Sequence, residues 1–164
     1  MRYHNITKED MLNGDGLRSV LWLSGCTHAC KGCQNPITWD INGGLEFDDE
    51  AKKELFESLE PDYISGITFS GGDPLHPQNR KGVTALIKEI KTKFPNKTIW
   101  VYTGYLFEEV RDLPLMQDID ILVDGEFKID LLDVTLKWKG SSNQRVIDVK
   151  KTLALDHDSI VLHG

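Results

Sequence analysis

The chain has 164 residues, 40% of them hydrophobic and 27% charged, and a formal net charge of −7. That length fits one domain with an ordinary core, and the balance excludes a disordered or fibrous chain. The acidic charge is spread along the sequence, which excludes the basic face that nucleic-acid phosphates require.

No apolar run reaches the length of a bilayer crossing. Met1-Arg2-Tyr3-His4-Asn5 lacks the apolar stretch of a secretory signal, so a cytoplasmic protein is expected. Val20-Leu21-Trp22-Leu23 reads as a buried strand running into a loop that holds every cysteine of the chain. Asp48 caps an expected helix whose apolar positions are Ala51, Leu55, Phe56 and Leu59. Gly66-Ile67-Thr68-Phe69-Ser70 is a second strand, ending in Gly71-Gly72-Asp73-Pro74. Val83, Leu86, Ile87, Ile90 and Phe94 mark the inner face of a second helix, stopped by Pro95. Thr98-Ile99-Trp100-Val101-Tyr102 is a third strand, followed by Thr103-Gly104. A short helix through Phe107 and Val110 ends before Pro114, and a fourth strand over 119–123 leads into Asp124-Gly125-Glu126. Val146-Ile147 and Ile160-Val161-Leu162 are candidate short strands. With no repeat, low-complexity tract or linker, one domain over 1–164 is expected, its tail 149–164 unassigned.

Strands alternating with helices predict an α/β fold with a largely parallel sheet. Every unusual motif follows a strand, so the cysteine loop, Gly71-Gly72, Thr103-Gly104 and Asp124-Gly125 should meet at one sheet edge, where α/β folds bind ligands.

Cys26, Cys30 and Cys33 are the three cysteines of the chain, within eight residues. An odd number packed so closely makes a poor disulfide framework, and the CxxxCxxC spacing points to metal. A [4Fe–4S] cubane normally takes four thiolates, so three leave one iron open, as a catalytic site requires. The alternative is a zinc ion held by the three cysteines and His28. Gly71-Gly72 lets a ligand approach the backbone, with the Asp73 carboxylate facing an ammonium group, unless the stretch is an ordinary turn. On the ligand reading a β-carbon at Gly72 would intrude on the ligand itself. His76 and Asn79 are either site residues or surface loop. Asp124 either reaches the same cavity or sits in a loop. The polar run 140–145 either wraps an anion or forms a solvated turn.

The three-cysteine loop after the first strand, with Gly71-Gly72-Asp73 after the second, resembles the radical S-adenosylmethionine enzymes. More narrowly, the chain resembles the activases of class III, anaerobic ribonucleoside-triphosphate reductases. The likeness includes Asn13-Gly14-Asp15-Gly16, Ser24-Gly25-Cys26 through Asn35, Thr38-Trp39, Ser70 through Asn79, Trp100 through Tyr105, Leu122 through Gly125, and Gly140-Ser141-Ser142-Asn143-Gln144. It implies a partial, open (β/α) barrel and catalytic, metal-ligating Cys26, Cys30 and Cys33. Gly32, Cys33 and Gln34 would lie along bound S-adenosylmethionine, and Gly71, Gly72 and Asp73 would meet its amino group, with Asp124 also at the cofactor. Gly32 stands where the wider superfamily often has an aromatic residue, and Asp73 where it usually has Glu.

The resemblance further implies a [4Fe–4S] cluster that cleaves S-adenosylmethionine and leaves a glycyl radical on the reductase. An electron donor such as flavodoxin would serve it, with no nucleic acid and no membrane involved. Three other readings stay open: an activase of the pyruvate formate-lyase type, a small radical enzyme acting on a free metabolite, or a non-enzymatic iron–sulfur or zinc module. Complete (β/α)8 barrels take ~250 residues, so a sheet this short should leave one flank of the site open.

Overall fold

A computed structural model describes residues 1–33, 36–155 and 159–164. Its centre is a run of four parallel strands, β2 (Leu17–Leu23), β4 (Ile64–Gly71), β5 (Thr98–Tyr102) and β6 (Ile121–Asp124). These are the four strands expected from the sequence. The sheet is mixed, because antiparallel strands extend it at both sides. On one side lie β1 (Arg2–Asp10) and β3 (Leu45–Glu46), on the other β7 (Arg145–Asp148), giving the order β3-β1-β2-β4-β5-β6-β7.

Residue alternation divides the sheet into two faces. Leu21, Leu23, Ile67, Phe69, Ile99, Val101, Leu122 and Ile147 point to one face and join the main core. Against it pack α1 (Asp49–Leu59), through Leu55 and Leu59, and α2 (Arg80–Lys93), through Val83, Leu86, Ile87 and Ile90. Asp48 caps α1 as expected, its side chain accepting the Ala51 N–H at 2.9 Å. Two shorter helices, α3 (Phe107–Val110) and α4 (Val149–Leu153), also lie on this face, with Phe107, Val110 and Val149 buried. Residues 160–162 make an isolated bridge, Leu162 to Ile147, rather than a strand of their own.

The opposite face carries a smaller cluster of Trp100, Ile121, Val123 and Val146, with Tyr102 and Trp138 against it. Here lies a fully buried cation, Arg18 on β2. Its guanidinium donates to Thr68 Oγ1 (3.0 Å), Thr98 Oγ1 (2.8 Å) and the carbonyls of Asp15 (3.0 Å), Ile67 (2.9 Å) and Thr98 (2.8 Å). Burial lowers its pKa to about 10, against Asp15 and Asp120, which raise it, so it stays charged at neutral pH. The Asn13-Gly14-Asp15-Gly16 turn is shaped around it. A β-carbon on Gly14, whose φ is +135°, would lie 2.7 Å from Arg18 Cδ, and Asn13 O accepts the Thr68 hydroxyl at 2.6 Å.

Removing Arg18 would strand several buried acceptors, each costing about 1–3 kcal/mol. Arg18→Ala should therefore lower the urea-unfolding free energy of the metal-free chain by at least about 3 kcal/mol. Arg18→Lys should recover only part of that loss, because an ammonium cannot span five acceptors. A wild-type unfolding midpoint in Arg18→Lys would show that charge alone matters.

Candidate active site

The C-terminal ends of the four parallel strands are laced together by backbone hydrogen bonds. Gly72 N–H donates to Leu23 O (2.8 Å), Asp73 N–H to Gly25 O (2.7 Å), Thr103 N–H to Val123 O (2.9 Å) and Gly125 N–H to Tyr105 O (3.0 Å). These bonds join the four motifs expected at one edge in two pairs, and the Asp73 side chain links the pairs through Thr103 Oγ1 and Gly104 N–H.

The cysteine loop is held from behind by the stretch after it. Gly25 and Cys26 donate their N–H groups to Thr38 O (2.7 Å) and Trp39 O (3.0 Å). All three cysteines are half-buried and outside any disulfide. Each sulfur has a hydrogen-bonding neighbour. The His28 and Ala29 backbones serve Cys26, the Phe127 backbone serves Cys30, and the Trp39 indole N–H lies 3.5 Å from Cys33 Sγ. Burial still pushes the Cys26 thiol up, and burial followed by Glu126 pushes Cys30 to about 11. Glu126 accepts from Cys30 Sγ at 3.7 Å.

This donor set fits an iron–sulfur cluster: three thiols in one loop, partly exposed, with N–H groups at sulfur. It does not fit zinc with His28 as fourth ligand. His28 Nε2 lies 2.7 Å from Asp73 Oδ2 and Nδ1 faces Glu126 Oε1 at 3.7 Å, so both ring nitrogens turn to carboxylates. Among the described residues, no three His, Cys, Asp or Glu side chains are grouped to hold a metal ion. A cubane spreads its thiolates over separate irons and needs no such convergence.

Gly71 and Gly72 are required by the protein's own packing. Gly71 has φ +100°, and a β-carbon there would come within 2.4 Å of Leu23 N. At Gly72 it would lie 2.6 Å from both Gly25 O and Thr38 O. A side chain at Gly72 would meet the backbone that seats the cysteine loop, whatever ligand lies beyond it.

Asp73 is 1% exposed. Its Oδ1 accepts Leu75 N–H (2.8 Å) and Thr103 Oγ1 (2.9 Å); its Oδ2 accepts Gly104 N–H (3.0 Å) and faces His28 Nε2. Asn79, fully buried, donates from Nδ2 to Ser24 O (2.9 Å) and Asp73 O (3.1 Å). It therefore belongs to the site's frame, not to surface loop. Its Oδ1 is buried without a hydrogen-bond partner among the described residues, a condition that costs about 1–3 kcal/mol unless water or a ligand group meets it. His76 accepts the Gln78 N–H on Nδ1 (3.1 Å) and closes a local turn.

Asp124 is fully buried on the helix-covered face. It accepts the Phe107 N–H at 2.8 Å and pairs with Arg145, whose guanidinium also meets Glu108 at 3.0 Å. The hydrogen bond that Arg145 donates to Asp124 raises the Arg145 pKa well above its ordinary value. Gly32, φ +75°, makes a turn of the cysteine loop against Ile129. Gln34 lies outside the described residues. The run 140–144 does not present its N–H groups to an anion. Gln144 Oε1 takes those of Gly140 (3.0 Å) and Ser141 (3.1 Å), and Gln144 Nε2 donates to Gly125 O (3.0 Å). Asn143 Nδ2 donates to Glu126 O (2.8 Å), so the run fastens the loop after β6.

Three contributors were not singled out from the sequence: Trp39, Glu126 and Arg145. Trp39 was visible only as part of Thr38-Trp39, Glu126 only as the residue after Asp124-Gly125. Gly72→Ala should lower iron uptake on anaerobic reconstitution together with any loss of ligand binding, since it displaces the cysteine loop. Iron content equal to wild type in that variant would contradict the packing at Gly72.

Residues 12–147 match the family model described as a 4Fe-4S single cluster domain. The chain is 42% identical over 146 residues to the anaerobic ribonucleoside-triphosphate reductase-activating protein of enterobacteria phage T4, covering 89% of this chain and 93% of that one. It is 45% identical over 150 residues to the protein of the same name from Salmonella typhi and 43% identical to that of Escherichia coli strain K12, each covering 89% of this chain and 97% of the relative. The chain belongs to the family of anaerobic ribonucleoside-triphosphate reductase-activating proteins, built on a 4Fe-4S single cluster domain.

Proposed function

We propose that this chain is an enzyme that generates a glycyl radical on an anaerobic ribonucleoside-triphosphate reductase, with Cys26, Cys30 and Cys33 holding a [4Fe–4S] cluster. The observation that carries it is the loop 26–33, three half-buried thiols with a hydrogen-bonding neighbour at each sulfur, set where four parallel strands end. When bound, the cluster supplies the electron that cleaves S-adenosylmethionine to methionine and a 5′-deoxyadenosyl radical, which takes hydrogen from the reductase's glycine.

The chain's own residues bind, orient and fix. Gly25, Thr38 and Trp39 seat the cysteine loop. Gly32 and Cys33 and the Gly71-Gly72 turn form the wall along which S-adenosylmethionine lies. Asp73 is that wall's fixed point beneath the turn, whereas Asp124 anchors the loop after β6 from the helix-covered face, through Phe107 and Arg145. The β/α architecture is read as a partial, open barrel forming one domain over 1–164. Beside Gly32, the segment after β6 exposes Ile129, Leu131, Leu132 and Val134. That flank is left for a large partner to cover, and a free metabolite there would meet water. A flavodoxin-like donor and a cytoplasmic setting without nucleic acid or membrane complete the reading. No helix among the described residues is long and apolar enough to cross a membrane.

Anaerobic reconstitution should give about four irons and four sulfides per chain, the cubane stoichiometry. Replacing Cys26, Cys30 or Cys33 by Ala should abolish cleavage of S-adenosylmethionine. Mixing the reduced protein with S-adenosylmethionine and the anaerobic reductase should place a glycyl-radical EPR doublet on the reductase. Efficient turnover of a free metabolite, or no doublet with a loaded cluster, would defeat the assignment.

A further inference from the structure

Asp73 and His28 form a contact whose role the cluster reading alone leaves unassigned. The carboxylate has about four acceptor positions. Leu75 N–H and Thr103 Oγ1 occupy Oδ1, and Gly104 N–H and His28 Nε2 occupy Oδ2, with no water-facing side. An ammonium group would have to displace one of these partners.

His28 is held as closely. Its ring sits edge-on to Tyr105, centroids 4.7 Å apart, and a β-carbon on Gly104 would lie 2.5 Å from its Cδ2. Its Nδ1 looks toward Glu126 at 3.7 Å. One side chain in the middle of the cysteine loop therefore touches the loops after β4, β5 and β6. Cys26 and Cys30 flank it at two residues on either side. Fixing the ring fixes the backbone between two of the three thiols.

We infer that His28 is a positioning residue: it latches the cysteine loop to the strand ends through Asp73, and Asp73 acts on the cluster loop through it rather than as a direct contact to the cofactor's amino group. The inference rests on the proposed cluster at Cys26, Cys30 and Cys33. Gly104 is part of the same device, since only a residue without a side chain lets the ring lie there.

The test uses the full chain, reconstituted anaerobically, and measures the rate at which a ferrous chelator removes iron, beside the affinity for S-adenosylmethionine. His28→Phe keeps the ring volume against Gly104 and Tyr105 but loses both nitrogens. It should release iron roughly ten- to hundredfold faster, the range expected for a lost hydrogen bond to a charged group. His28→Gln restores a donor toward Asp73 and should return the rate to within a few-fold of wild type. Asp73→Asn should speed iron release to a similar extent, and the double variant should be no worse than the worse single one, because both changes break one contact.

Wild-type iron retention in His28→Phe overturns the inference. So do additive effects in the double variant, or an Asp73→Asn protein that keeps its iron but loses S-adenosylmethionine. If His28→Phe fails to fold, His28→Gln decides: retention near wild type supports the latch, and release as fast as His28→Ala refutes it. Failure of the latch leaves the wild-type cluster and radical transfer intact, whereas failure of the activase reading shows in the wild type itself.

Discussion

The site depends on a close approach of backbone to backbone. Gly72 sits so near Gly25 O and Thr38 O that even a methyl group would collide with both. Because the approach is possible, Gly72 and Asp73 donate their N–H groups to the chain entering the cysteine loop, and Gly25 and Cys26 donate theirs to the chain leaving it. Three segments distant in sequence thus become a single ladder beyond the ordinary sheet. The thiols inherit their positions from that ladder. Side-chain contacts such as Asn79 to Ser24 O add to a geometry already set by main chain.

Two buried charged groups mark the two ends of the parallel strands, and they solve the same problem with opposite signs. Arg18 gathers carbonyl and hydroxyl oxygens near the N-terminal ends of β4 and β5. Asp73 gathers N–H and hydroxyl donors at the C-terminal ends. A buried charge is tolerable only when its hydrogen-bonding capacity is filled, and removing one partner leaves a penalty larger than the bond was worth. Both groups therefore make their neighbours hard to rearrange. That rigidity suits a site whose reacting groups must be held in place.

The parallel core was legible because its strands are short apolar runs between periodic helices, as at Thr98–Tyr102 and Arg80–Lys93. Strand β1 was not legible. Its nine residues are mostly polar, with Ile6 the one buried residue among them, so no alternation shows. The start of β2 was hidden by Arg18, a charge that only tertiary bonding makes acceptable in a buried strand. At the site, the cysteines declared themselves through their chemistry. The roles of His28 and Asp124 did not. His28 meets its partner 45 residues away. Whether Asp124 faces the ligand side or the helices is set by strand register, and register pairs it with Arg145 on β7.

The same register explains how charge is distributed around the sulfurs. The net charge of −7 and the nearby carboxylates make the loop a poor host for bare thiolates. Burial and Glu126 hold the metal-free Cys30 thiol neutral, and burial does so at Cys26. Asp124 adds nothing to that repulsion at the surface of the loop, because Arg145 accompanies it on the helix side. Asp73 and Glu126 do lie close, and His28 stands against both, its pKa raised first by the hydrogen bond to Asp73. The N–H groups aimed at the sulfurs favour the thiolate, each by a modest amount. Metal ligation needs deprotonated sulfur, and the metal's own positive charge supplies the remainder of the compensation. The loop is therefore arranged so that its anionic form is stabilised in two stages, partly by donors already in place and partly by the group those thiolates hold.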